Sequence, residues 1–143
     1  MPWPFSRSSS PVTFAFETAE TKHLGRIQRP MAVVLLWSDT YREWQSHKLL
    51  IDTGADYTLL PRYMAGLLGL DLSQAQRIKT LGVGGEETHI FIEKLRVKVG
   101  EMEREIVVGF SNNNKIPALM GRHAFFETFT VVFDKTRSIT FSD

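Results

Sequence analysis

"KLLIDTGADYTLLP", residues 48–61, sets two carboxylates, Asp52 and Asp56, between two apolar runs. The first run, Leu49 to Ile51, ends directly on Asp52, and the second runs from Tyr57 to Leu60. An ionised carboxylate is costly to bury unless a partner or a shared proton compensates it. The stretch therefore needs a separate account for each acid, and the rest of the chain has to supply both. Asp-Thr-Gly alone is ordinary turn chemistry after a strand.

The chain has 143 residues, one domain's worth, of which 43% are apolar and 23% charged, as in ordinary soluble globular proteins. A formal net charge of +1 gives no general electrostatic case for a nucleic-acid partner or a membrane surface. With no cysteine, disulfides, thiol chemistry and thiolate metal sites are excluded. The longest apolar runs, 31–37 and 63–72, are too short or too interrupted to span a bilayer. The opening "MPWPFSRSSSP" has prolines and serines where a signal peptide needs an apolar stretch. Residues 1–11 read as a flexible arm, residues 12–143 as a single domain, and the expected location is cytoplasmic. His23, His47, His89 and His123 show no ligand spacing, so neither a metal nor a cofactor is expected.

Most of the sequence has the patterning of strands. "VTFAFET" (12–18) alternates, whereas "MAVVLLW" (31–37) and "HKLLID" (47–52) are apolar runs flanking a polar, turn-like segment, a hairpin pattern. "THIFIEKLRVKVG" alternates at length, "REIVVGF" follows, and "FTVVFDKTRSITF" reads as a closing hairpin around Asp134-Lys135. One helix is expected, with Pro61 at its first position, "RYMAGLLGL" as its body and Gly69 as its stop. A second short turn would cover "DLSQAQRI". The fold class is mostly β.

Leu49-Leu50-Ile51-Asp52-Thr53-Gly54-Ala55 has the form found where aspartic proteases end a buried strand on their catalytic triplet. From there the chain resembles the retropepsins, the single-domain, retroviral-type aspartic proteases, and especially their cellular and bacterial members. Further stretches support the likeness in the right order: "QRP" (28–30), "LLGL" (67–70), "LGVGGEETHIF" (81–91) and "ALMGRHAF" (118–125). The likeness covers roughly residues 28–141 and implies a half-barrel with one short helix, a flap hairpin and a ψ-loop active site. It also implies that "ALMGR" opens a C-terminal helix. The N-terminal extension and the longer first hairpin have no counterpart in the short viral enzymes.

In such enzymes a water is activated between two carboxylates. Like charges a few ångströms apart cannot both ionise, so the pair shares one proton, a behaviour for which aspartic proteases are themselves the reference case. The likeness assigns the catalytic role to Asp52, with Thr53, Gly54 and Ala55 supporting the loop. None of Asp39, Asp56, Asp71, Asp134 or Asp143 begins a second triplet. The second carboxylate then has to come from another copy, which makes a symmetric homodimer the economical solution. Val131–Phe141 is expected to supply much of its interface. Asp56 is expected to pair with Arg122 and, often across subunits, with Arg29, a structural ion pair suited to a bidentate guanidinium. Gly82, Val83, Gly84 and Gly85 would form the flap tip, and Val83, Leu119 and residues near Leu59 the pocket walls. The partner is a peptide or protein substrate bound by strand addition. Ala55, where acid-acting relatives often carry Ser, implies a weakly rather than strongly acidic optimum. The rival reading is a retropepsin-like domain that binds peptide or assembles with little or no hydrolysis.

Overall fold

The structure is a computed structural model that describes residues 10–81 and 84–143. Residues 1–9, most of the expected arm, and Gly82 and Val83 of the expected flap tip lie outside the described residues. The apolar and β-branched runs form strands: β1 (Val12–Ala15), β2 (Glu17–Thr21), β3 (Gly25–Arg29), β4 (Met31–Ser38), β5 (Glu43–Ile51) and β6 (Thr58–Pro61). After the helix α1 (Tyr63–Leu67) come β7 (Gln76–Leu81), β8 (Glu87–Val99), β9 (Met102–Ser111), β10 (Leu119–Met120), β11 (Thr130–Asp134) and β12 (Ser138–Ser142).

One seven-stranded sheet runs in the order β4-β5-β10-β6-β9-β8-β7. β8 is 13 residues long and serves two neighbours. Its first part pairs with β7, while Val97 and Lys98 near its end pair with Leu36 and Leu35 of β4. That second pairing curls the sheet into a barrel, and the inward faces fill it. Val34, Leu36, Leu49, Leu60, Val97, Val108 and Phe110 are fully buried there. β4 illustrates the patterning, with Ala32, Val34, Leu36 and Ser38 buried and the residues between them at least partly exposed. A three-stranded sheet, β1-β12-β11, closes one end, with Phe141 at the centre of an aromatic cluster of Phe14, Phe125, Phe126 and Phe129.

The structure corrects four of the expectations. The 12–18 segment is not one strand, because the chain turns at Phe16 so that β1 pairs with β12 and β2 with β3. Pro61 closes β6, paired with Ser111, instead of opening the helix. The helix is only five residues long. The expected C-terminal helix after Gly121-Arg122 is a set of turns with a short 3-10 turn, Phe126–Thr128. Ala124 at φ 57° breaks any helix there, and Phe125 and Phe126, neighbours in sequence, are both drawn into the core. Strong burial of consecutive aromatics outweighs a weak helical propensity.

The stop at Gly69 holds for two reasons. Its φ is +69°, and a Cβ there would lie 2.7 Å from that of Thr40. Side chains of the β4–β5 hairpin satisfy the carbonyls at the end of α1. Ser38 donates to Leu68 O at 2.7 Å, Thr40 to Gly69 O at 2.8 Å and Gln45 to Leu67 O at 2.7 Å.

Candidate active site

β5 and β6 are joined by the loop that holds Asp52, and β10 lies between them in the sheet. It runs parallel to β5 (Leu119 opposite Leu50, Met120 opposite Ile51) and antiparallel to β6 (Leu119 opposite Leu59). This ψ-like arrangement fixes both ends of the loop on rigid strands. Asp52 leaves β5 with its N–H donating to Met120 O at 3.0 Å, and its carbonyl accepts the Ala55 N–H at 3.2 Å. Its carboxylate Oδ1 accepts the Gly54 N–H at 2.9 Å, and a Cβ at Gly54 would sit 3.3 Å from that same oxygen. Asp52 is partly exposed.

Arg122 holds the other side of the loop. Its guanidinium donates to Thr53 O at 2.7 Å and to Asp56 Oδ1 at 2.5 Å, while its backbone N–H donates to Ala55 O at 3.0 Å. The His123 N–H donates to Asp56 O at 2.9 Å. The Asp56 side chain is 84% exposed and that of Arg122 47%, so the pair contributes little as a salt bridge. Its effect is geometric, because two planar donors fix two points of one loop. Arg29 is not brought to Asp56 within the chain. It is exposed at the end of β3, opposite Glu17.

Beneath the loop, buried Thr58 accepts the Gly121 N–H at 3.1 Å and donates towards Met120 Sδ at 3.0 Å. Gly121 lies so close to Tyr57 that a Cβ would fall 2.4 Å from its carbonyl carbon and oxygen. The sequence reading did not single out Thr58, although a buried threonine six residues past Asp52 on an apolar strand was its visible signal. The Thr53 hydroxyl has no hydrogen-bond partner among the described residues, and Thr53 is exposed.

The β7–β8 hairpin comes near this loop, Ile78 and Ile92 sharing a cavity wall with Asp56 and Tyr57. Its last described pair is Leu81 opposite Glu87, and Gly84 and Gly85 precede β8, Gly85 at φ +82°. Gly109 of β9 allows the close approach, since a Cβ there would meet Ile90 Cγ2 at 2.5 Å and the Tyr57 ring at 2.9 Å. Between hairpin and loop lies a cavity of about 380 Å3 lined by Asp56, Tyr57, Ile78, Ile92, Val107 and His123. Of these, Asp56, Tyr57 and His123 drew comment from sequence, because the strands that carry the others meet only in the folded chain. Leu119 is half-buried on β10 between Leu50 and Leu59, beside the Asp52 loop.

The sequence matches no family model and no curated protein. Among solved structures, the chain is similar to a retropepsin-like aspartic protease from Rickettsia conorii, with a TM-score of 0.62 and 18% identity over 92% of this chain and 98% of that one. A two-residue strand set between the two strands that an Asp-Thr-Gly loop joins, inside a curled sheet of matching extent, leaves one conclusion about architecture: the chain has the retropepsin-like fold.

Proposed function

We propose that the chain is an aspartic endopeptidase that hydrolyses peptide bonds as a homodimer, each subunit contributing one Asp52. The observation that carries this reading is the placement of Asp52. It is partly exposed at the end of β5, on a loop fixed from both sides by β10 and Arg122, in a chain with no second Asp-Thr-Gly. The exposed Thr53 hydroxyl is then available to the partner's loop, and the exposed edge strand β11 to the partner's sheet.

With two Asp52 carboxylates face to face and one proton between them, the ionised member takes a proton from water as the water oxygen attacks the peptide carbonyl carbon. The protonated member gives its proton to the carbonyl oxygen, producing a neutral tetrahedral diol. Collapse breaks the C–N bond as one carboxyl protonates the leaving nitrogen. A hydroxyl proton returns to the other carboxylate, which restores the single shared proton. Gly54 leaves space for the substrate backbone, and the β7–β8 hairpin acts as a flap that excludes water. The apolar walls offered by Ile78, Ile92 and Val107 favour apolar side chains near the scissile bond.

The test is Asp52→Asn with a peptide library and sedimentation run side by side. The expected result is loss of cleavage at the dimer's mass. A variant that still cleaves would overturn the catalytic assignment. A wild-type chain that stays monomeric and inert would instead favour a peptide-binding role for the fold.

A further inference from the structure

On the other side of the β7–β8 hairpin lies a larger hollow, an open groove of about 970 Å3 walled by α1, the 3-10 turn Leu72–Gln74, β7 and β8. Consecutive strand residues point to opposite faces, and the two cavities divide the hairpin on that basis. Ile78 and Ile92 line the cavity beside Asp56, whereas Arg77 and its cross-strand partner Phe91 line the outer groove. The hairpin is their common wall.

Arg62 enters the same groove, its guanidinium carbon 4.9 Å from the Phe91 ring centre. Among the described residues neither Arg62 nor Arg77 takes part in an ion pair. The acid lining the groove, Asp71, is already engaged, its Oδ1 accepting the Ser73 N–H at 2.9 Å. Asn114 accepts the Tyr63 N–H through Oδ1 at 3.0 Å, which leaves its amide nitrogen as the donor end. Ala65, Leu70 and Leu72 add apolar surface. Two guanidiniums that pair with no carboxylate among the described residues, Asp71 included, beside apolar side chains in a hollow of ligand size, match a carboxylate carried next to an apolar side chain.

We propose that this groove is a second binding site, separate from Asp52, for an acidic peptide segment. Arg62 and Arg77 hold its carboxylates, and Leu70, Leu72 and Phe91 receive the neighbouring apolar side chain. This inference does not depend on the chain being a protease.

The experiment titrates the full chain with acetyl-Leu-Glu-Glu-Leu-amide and with its Gln-Gln counterpart, following backbone amide chemical shifts. Shifts are expected to cluster on α1, residues 71–77 and Phe91. The glutamate peptide on Arg77→Gln or Arg62→Gln is expected to bind about tenfold more weakly, the loss of one charge-assisted contact, and the Gln-Gln peptide about a hundredfold more weakly, the loss of two. Arg77 is exposed, so Arg77→Gln is expected to keep the wild-type unfolding temperature and isolates the charge. Equal affinity for the two peptides would overturn the proposal, as would shifts centred on residues 52–56 or the absence of binding at millimolar peptide.

Discussion

A methyl group at Gly121 would sit 2.4 Å from the backbone of Tyr57, with no flexible side chain to move aside. Gly66 is the opposite case: it lies inside α1, exposed, with nothing within 4 Å of an added Cβ. Gly121→Ala is therefore expected to cost about 3 kcal/mol through overpacking. Gly66→Ala should gain about 0.5–1 kcal/mol from a stiffer unfolded chain and better helix propensity. Urea unfolding of the pair checks both signs, and matching midpoints would contradict the close approach of β10 to the loop. Thr58→Val would leave the buried Gly121 N–H without its acceptor, an expected loss of about 1–3 kcal/mol by the same measurement. Arg122→Lys keeps the charge but cannot reach Thr53 O and Asp56 together with two planar donors. Because that pair is exposed, the expected result is a fall of tenfold or so in kcat/KM for peptide cleavage, a loop-positioning effect, with the urea midpoint almost unchanged. Unfolding in step with lost activity would assign Arg122 a purely structural role.

At the scale of elements, β5 carries a titration as well as Asp52. His47 lies half-buried on that strand, and its desolvation holds the imidazole below its ordinary value. The folded chain then binds a proton less readily than the unfolded chain. Stability is fully present above about pH 6.5 and is lost as pH falls from there through the lower folded value. Further down in pH, Asp71 and Asp134 add to the loss, their carboxyls held low by the hydrogen bonds of Ser73 and Thr136. Thermal unfolding between pH 7.5 and 5 is expected to show a falling midpoint that flattens in His47→Gln, and an unchanged slope would refute the linkage. The elements legible in the sequence were those set by local patterning: the β4–β5 and β11–β12 hairpins, the strands β8 and β9, the Asp52 loop and the stop at Gly69. What local patterning could not convey was partnership. The split at Phe16 follows from β12 and β3 competing for one alternating segment, and Pro61 ends a strand because β9 supplies its neighbour. The turns after Arg122 arise because Phe125 and Phe126 join Phe141, whose position depends on the far end of the chain. The candidate site divides in the same way. Asp52 to Asp56 stood out as a motif, whereas the walls of its cavity come from β7, β8 and β9 and emerge only on folding.

For the whole molecule, the proposal requires a second copy. The order β1-β12-β11 leaves β11 at a sheet edge, with Val132 47% and Phe133 43% exposed on its two faces, an apolar edge that a monomer would have reason to cover. Val132→Asp is expected to shift the sedimentation profile to the monomer and to abolish cleavage with it, while the far-ultraviolet dichroism stays that of the wild type. The central claim, that one active site is built from two Asp52 side chains on two chains, is tested most directly by mixing. Wild-type chain at fixed concentration is incubated with an equal amount of Asp52→Asn chain until subunits have exchanged, and peptide cleavage is then measured. Random pairing leaves one dimer in four fully wild type, so the rate should fall to roughly half that of wild type alone, and further with more Asn chain. A rate unaffected by the Asn chain, once exchange has been verified by mass-labelled subunits, would contradict the shared site.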